Sequence, residues 1–485
     1  MTSAKSGWPT LLLVCVGQFM VILDVSIVNV ALPSIREDLH FSAVDLQWVV
    51  NAYTLTFAGF LMLGGRACDL LGRRRVFIGG LLLFALASLV GGLSQSQGML
   101  IGARAAQGLG GAVVSPATLA ILTTSFAEGP ERNRALGVWG AMGGAGGATG
   151  ALLGGVLTDL LSWQWILFVN VPIGTAVALA APRFVAEGRN LERARNFDLA
   201  GAVTVTAGLV ALVFGIVRTD TYGWGSIQTL GPMAAGLVLL AVFLVIEGRL
   251  AESPLMPLRI FASRTLTGAN LTVFFLGSAV FGMWYFVSLY LQQVLGYSPL
   301  RAGLAFVPMT LAIVVGSALA SRGVTRVGAK PLLVAGMTFQ AVGLLLFTRV
   351  PVDGTYLSDV LAPSAIVAIG IGLAFVPVTI AAVAGVASRE AGLASGLVNT
   401  SRQMGGALGL AILATVASAH TSHLLADGHT GQSDALTRGF HEAFALGAGF
   451  AVAGALTALL VLPRIRPRAM VPARAEAAHS EASAS

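Results

Sequence analysis

Charge is scarce in this chain. Only 11% of its 485 residues are Asp, Glu, Lys or Arg, less than half of the roughly 25% found in soluble domains. A soluble protein of this length could not cover its surface with so few charges. Cysteine is nearly absent as well: Cys15 and Cys68 both fall in apolar segments, which excludes a disulfide framework and a Cys-rich metal site. Lysine occurs only at Lys5 and Lys330. A phosphate-binding Gly-Lys-Ser/Thr loop needs Gly before its Lys and a hydroxyl after it. Lys5 follows Ala4 and Lys330 precedes Pro331, so any pumping must draw on an ion gradient or an unseen partner. Long polar stretches are missing too. The longest expected loop, 419–441, has no room for a soluble catalytic domain, and the chain reads as no enzyme.

What is present is apolar. Hydrophobic residues make up 56% of the chain and mean hydropathy is +0.83, enough for about fourteen spans of about 20 apolar residues. Hydropathy predicts spans 1–7 near 10–33, 46–68, 76–94, 98–124, 135–160, 165–185 and 199–218. Spans 8–14 are predicted near 229–247, 265–290, 299–321, 331–349, 360–386, 392–418 and 442–463. The expected class is an all-α polytopic membrane protein. Span 1 is no signal peptide: it carries Asp24 and Asn29 and lacks a small-residue cleavage site.

The few charges are sorted. If the N-terminus is cytoplasmic, 22 basic residues fall on that side, five on the other, and Arg104 and Arg402 lie inside spans. That asymmetry predicts cytoplasmic termini. The net charge of +7 is scattered over short loops, which fits anionic lipid and not nucleic acid.

Two internal echoes share one offset. Gly65-Arg-Ala-Cys-Asp69-Leu-Leu-Gly72-Arg73-Arg74 after span 2 returns, degraded, as Ser321 to Lys330 after span 10. Gly108-x-Gly110-x-Ala112 with Pro116 in span 4 returns as Gly370-x-Gly372-x-Ala374 with Pro377 in span 12. Both shifts equal eight spans. The expected organisation is a six-helix bundle over 1–185, inserted spans 7 and 8 with their flanking loops over 186–264, and a second bundle over 265–463. A basic, then Ala/Ser-rich, disordered cytoplasmic tail is expected over 464–485. Two pseudo-symmetric bundles imply a midplane cavity opened alternately to either side, which is transporter architecture.

Charges inside spans are functional candidates by default, because inserting each one costs about 2.5–3.5 kcal/mol. Asp24 and Arg104 fall at the same depth, about 9 Å from the outer edge of the apolar core. The pair reads either as a carboxylate that exchanges protons or as a permanently ionised pin between two helices. On a helical wheel Ser26 and Asn29 point away from the Asp24 face. Arg402, in Asn399-Thr-Ser-Arg402-Gln403, has no acid in its own span. It suits an anionic or carbonyl-bearing substrate, or it serves helix carbonyls and water.

Span 5 carries glycines at four-residue spacing, Gly146, Gly150 and Gly154, followed by Gly155, which permits close helix approach. Asp69 beside Arg73, Arg74 and Arg75 suits a tight turn whose carboxylate caps a helix or pairs with Arg in one conformation only; topogenic charge is the plainer reading. His420, His423, His429 and His441 gather in the expected 419–441 loop and read as a solvated loop in preference to a metal site. Gln18, Phe19, Gln107, Trp139, Phe274, Trp284, Tyr285, Asn399 and Arg402 are candidates for the substrate cavity. Phe306 also suits an apolar pocket. No cofactor is expected.

At these residues the chain resembles the major facilitator superfamily, in its fourteen-span drug/proton antiporter branch (the EmrB/QacA type). Leu23-Asp24 to Pro33 is similar to the branch's span 1 signature, and Gly65 to Arg74 resembles the superfamily's loop 2–3 motif. Arg104-Ala-Ala-Gln107-Gly108-Leu-Gly110 resembles the span 4 motif, whose Arg is associated with proton transfer. Gly146 to Gly155 resembles the antiporter motif, with Ala151 where Pro is usual. Trp163 to Pro172 (with Gln164 where Arg is usual), Leu291 to Pro299 and Asn399 to Gly406 also fit. The resemblance implies proton-coupled export of a hydrophobic toxic compound or antibiotic, or of one dedicated metabolite or siderophore. A membrane sensor lacks the soluble effector domain it would need. Asp24 would take the proton, Arg104 would modulate it, and the 2–3 turn would act as a latch. A single intramembrane acid disfavours dicationic substrates. The implied setting is a bacterial cytoplasmic membrane, the partners are lipophilic substrate, protons and lipid, and the chain is expected to be a monomer.

Overall fold

The computed structural model describes residues 7–126, 130–187, 198–252, 254–383, 391–427 and 431–463. These residues contain no strand. The first six long helices are α1 (Gly7–Asp38), α2 (Trp48–Leu71), α3 (Arg73–Gly92), α4 (Gln97–Ser125), α5 (Pro130–Leu160) and α6 (Asn170–Phe184). A helical turn, Trp165–Phe168, precedes α6. Two further helices follow, α7 (Leu199–Tyr222) and α8 (Ile227–Val245). The last six are α9 (Arg264–Leu289), α10 (Pro299–Val327), α11 (Ala329–Phe347), α12 (Leu361–Val383), α13 (Ala391–Ala426) and α14 (Gln432–Leu460). Thirteen are long and apolar enough to cross a membrane. The remaining one, α5, is 31 residues long. Its glycines dilute its hydropathy without shortening it, so fourteen helices span.

Local chemistry sets several helix starts. Ser96, Ser263 and Ser298 accept backbone N–H groups with their hydroxyls at the first turns of α4, α9 and α10, and Asp198 does so with its carboxylate for α7. The α2–α3 corner is a single residue, Gly72, at φ 97°, and the α10–α11 corner is Gly328 at φ 84°. Such angles belong to glycine. The two corners are 256 residues apart, so the degraded copy keeps the backbone geometry of the original.

Packing repeats with the eight-helix offset. In the first bundle α1 packs on α5, α2 on α4, α3 on α4 and α6; in the second, α9 packs on α13, α10 on α12, α11 on α12 and α14. The inserted α7 and α8 pack on each other, and α7 also touches α2 and α13. The bundles meet through α2 with α13 and α5 with α10.

The polar bonds bridging the bundles gather at the face where α1 ends, called here the far face. Ser288 Oγ donates to Asn29 O at 2.6 Å, Gln292 Nε2 to Val30 O at 3.0 Å, and Arg36 Nη1 to Gln293 Oε1 at 3.4 Å. Ser298 Oγ donates to Asp159 Oδ2 at 3.4 Å. The opposite face, where α1 begins, is the terminal face.

The structure corrects the expected connections. The 419–441 loop is mostly helix: α13 runs on to Ala426 and α14 starts at Gln432. Polar residues lengthen both helices beyond their apolar cores, and hydropathy cannot see that extension. His441 is accordingly half-buried within α14, its Nε2 at 2.9 Å from Val350 O, while His429 lies outside the described residues. The 2–3 turn is also shorter than expected, because Asp69 belongs to α2 and only Gly72 turns the chain. The tail from 464 lies outside the described residues.

Candidate functional site: a carboxylate enclosed by the first bundle

Asp24 sits mid-way along α1 with no solvent exposure, and Arg104 of α4 is 1% exposed. Arg104 Nη1 donates to Asp24 Oδ2 at 2.5 Å. The other oxygen, Oδ1, accepts Gln107 Nε2 at 3.1 Å and Asn170 Nδ2 at 2.9 Å. Both carboxylate oxygens are therefore satisfied without water.

The guanidinium is held as tightly. Its Nε donates to Val49 O at 3.0 Å, its Nη1 also reaches Gln107 Oε1 at 2.8 Å, and its Cζ lies 4.6 Å from the Tyr53 ring centre. Gln107 Nε2 extends the network to Ser88 Oγ at 2.7 Å. Residues 104 and 107 are one helical turn apart, so α4 presents both to the same face of α1. The cluster draws on α1, α2, α3, α4 and α6, five of the six helices of the first bundle. Buried ion pairs of this kind persist only when such further bonds offset desolvation.

The expected Asp24–Arg104 contact is thus present. Gln107, expected at the substrate cavity, is fully buried in the Asp24 network. Asn170, Ser88 and Tyr53 were not among the expected site residues. Asn170 lies in the Trp163–Pro172 segment, whose motif character was its only signal. Ser26 and Asn29 do point elsewhere, Ser26 Oγ to Gly147 O at 2.7 Å and Asn29 Nδ2 to Val25 O at 3.1 Å.

Helix α5 is clasped on two sides. A methyl group built on Gly146, Gly150 or Gly154 would lie 2.9, 2.7 or 2.7 Å from Ile22, Ser26 or Ile27 of α1. One on Gly155 would lie 2.6 Å from Pro299 O, in the second bundle. Ala151, at the unusual position of the motif, is buried against α10, where its carbonyl is 2.4 Å from a methyl built on Gly303.

At the terminal face, Arg74 Nε and Arg75 Nε lie 3.3 and 3.6 Å from Glu187 Oε2, and Arg74 Nη1 donates to Val185 O at 3.4 Å. These contacts tie α3 to the end of α6. The Asp69 side chain lies outside the described residues. Gly65 is loosely placed, 3.8 Å from Pro116 for a built methyl, whereas its neighbour Gly64 makes the close approach to Ala112 O of α4 at 2.2 Å.

The remaining cavity candidates do not form one group. Tyr285 is 1% exposed and packs edge-on to Phe286, so it is core and not wall. Gln18 is also buried, its Oε1 accepting Thr118 Oγ1, which in turn accepts Trp139 Nε1 at 3.0 Å. Phe19, Trp139, Phe274, Trp284, Asn399 and Arg402 are partly exposed. Trp284 stacks on Phe306 at 4.8 Å, and Phe306 is buried. Arg402 donates to Asn399 Oδ1 at 2.8 Å and lies 5.3 Å from the Phe375 ring centre. Two cavities of about 380 Å³ each, one lined by Leu83, Met99 and Ala106, the other by Tyr297, Arg301 and Tyr356, contain none of these candidates.

A buried carboxylate held by arginine, between helices of one half of a doubled bundle, matches a family pattern. The Major Facilitator Superfamily model matches residues 14–410. This chain belongs to the major facilitator superfamily. Among its relatives, the cephamycin export protein of Amycolatopsis lactamdurans is 46% identical over 423 residues, 87% of either chain. The puromycin resistance protein of Streptomyces alboniger is 39% identical over 481 residues, 99% of this chain and 94% of the relative. A solved POT family peptide transporter shares the fold with a TM-score of 0.69 at 14% identity, covering 95% of this chain and 99% of that one. As a superfamily member, the chain is a multi-pass membrane protein.

Proposed function

We propose that the protein is a proton-coupled exporter of hydrophobic small molecules, antibiotics among them, working by alternating access in a bacterial cytoplasmic membrane with both termini cytoplasmic. It acts as a transporter and not as an enzyme. The observation that carries this reading is the Asp24 carboxylate, wholly enclosed by Arg104, Gln107 and Asn170. A group so enclosed exchanges its proton only when the surrounding helices move, and that requirement ties proton passage to conformational change. With cytoplasmic termini, the far-face seal makes this conformation inward-facing. Gly72, Arg73 and Arg74 would stiffen the terminal-face corner that must shift between states, and the α5 glycines would let α1 and α10 slide across it. At about 150 mV, one inward charge supplies about 3.5 kcal/mol, sufficient for a gradient of a few hundredfold.

The names of the two relatives favour a narrow second reading, export of one dedicated metabolite. Both readings are tested in proteoliposomes under an imposed pH gradient, with radiolabelled puromycin and a panel of lipophilic fluorescent dyes, wild type beside Asp24→Asn. Gradient-driven efflux of several compounds, lost in the variant, is expected. Efflux of one compound alone would select the dedicated exporter. Undiminished gradient-driven efflux by Asp24→Asn would remove Asp24 from coupling.

A further inference from the structure

A second pair of buried acids lies far from Asp24. Asp198 opens α7 and Glu247 follows the end of α8 in a π-turn, Ile246–Leu250. They are 8% and 4% exposed. Each commits one oxygen to a backbone N–H: Asp198 Oδ1 accepts Gly201 N at 2.7 Å, and Glu247 Oε2 accepts Met256 N at 2.8 Å. The other two oxygens, Asp198 Oδ2 and Glu247 Oε1, are buried without any donor. Both border the same small volume: a methyl built on Gly201 would lie 2.6 Å from the first and 2.8 Å from the second.

Two ionised carboxylates this close together and out of water would repel, with one backbone N–H each as the hydrogen bond that offsets the repulsion. Among the described residues, the charged neighbours are otherwise placed. From α2, Arg66 Nη2 donates to Pro254 O at 3.1 Å. Arg249 is exposed on the π-turn, and Glu252 and Arg259 belong to the following connection, both with contacts of their own. On α13, which packs against α7, no ionisable residue occurs between Ala391 and Ser401. The charged side chain acting on Glu247 is Asp198 itself. A single proton shared between them would satisfy both orphan oxygens at once.

We propose that Asp198 and Glu247 jointly bind one proton, forming a carboxyl–carboxylate bridge that acts as a pH-released clamp at the terminal face. The bridge joins the start of α7 to the end of α8. Through Met256 it also fixes the connection running on to α9, and Arg66 ties that same connection to α2 in the first bundle. Loss of the proton leaves two like charges sharing one site. Their separation frees Glu247 from Met256 and slackens a tether spanning the inserted hairpin and both bundles. This proton site is separate from Asp24 and stands whether or not Asp24 couples transport.

The test uses the full chain in lipid nanodiscs. Isotope-edited infrared spectra, recorded from about pH 5 to about pH 9, should show a protonated-carboxyl band that disappears on alkalinisation. The band should persist in Asp24→Asn and be missing in both Glu247→Gln and Asp198→Asn. Hydrogen exchange at Met256, corrected for intrinsic rate, should rise about tenfold over the same range in wild type and stay flat in Glu247→Gln, whose amide keeps the bridge without a titrating proton. Gly201→Ala, which forces the oxygens apart, should give the fast exchange at every pH. A band that survives in both single variants, or exchange profiles that coincide for wild type and Glu247→Gln, would overturn the clamp.

Discussion

Replacing Asn170 by Leu keeps the branched shape, adds some volume and removes one donor from Asp24. Asn170 is fully buried and gives its amide to Asp24 Oδ1 at 2.9 Å, while its own Oδ1 has no partner. The substitution therefore deletes a single useful bond and one orphaned acceptor. A hydrogen bond to a charged group contributes about 1.5–3 kcal/mol. Its loss loosens the enclosure of the carboxylate on which coupled movement depends. At about 1.4 kcal/mol per tenfold, gradient-driven efflux should fall by about ten- to hundredfold. Arg104 and Gln107 remain as donors, so folding and the ion pair should survive. The assay is pH-gradient-driven efflux in everted vesicles, measured over a pH series at fixed gradient, with thermal unfolding as the control for folding. Efflux should be lowered by that factor across the series. Undiminished efflux in a normally folded variant would refute the assignment of Asp24 as the exchanging group.

Other perturbations have similarly direct readings. Gly150→Leu pushes a side chain into Ser26 and Leu23, where even a methyl would sit at 2.7–2.8 Å; overpacking of about 1–3 kcal/mol should lower the melting temperature in detergent, whereas Gly147→Ala, which meets nothing within 4 Å, should leave it unchanged. Gly72→Ala and Gly328→Ala each force a side chain onto a glycine-only backbone angle, at a cost of about 1–3 kcal/mol, and chemical unfolding should report comparable losses at the two corners. Ser298→Ala with Arg36→Ala removes two bonds of the far-face seam. Spin-label distances between the ends of α1 and α9 should then broaden toward longer values.

Much of this architecture was legible before any coordinate. Apolar runs located all fourteen helices because the bilayer enforces a minimum length. The echo from Gly72 to Gly328 exposed the doubling, since a one-residue corner tolerates little besides glycine. Asp24 and Arg104 were paired by depth alone, because few charges compete inside the membrane. Other features resisted. Asn170 and Ser88 carry no charge, and their convergence on Asp24 depends on how α3 and α6 pack, which no spacing rule contains. Gln107 and Tyr285 looked like cavity wall because polarity and aromaticity say nothing of which helix face is buried. The polar ends of α13 and α14 were mistaken for loop because hydropathy measures apolar content, while helicity extends beyond it. Asp198 and Glu247 lie 49 positions apart at the margins of two spans, where acids are commonplace. Only their orphaned oxygens single them out.

The closure around Asp24 also bears on how costly the protein is to keep. Its carboxylate touches no solvent on either side, and every oxygen is occupied by a protein donor. In this conformation Asp24 presents no solvent-exposed oxygen to either compartment. A copy held this way passes no hydrogen ion through that carboxylate. A cell that holds many such copies in reserve keeps its membrane potential intact until a toxic compound arrives. Mutations that let water into this cluster would turn a dormant exporter into a leak, and they would be selected against even in cells that never meet the drug.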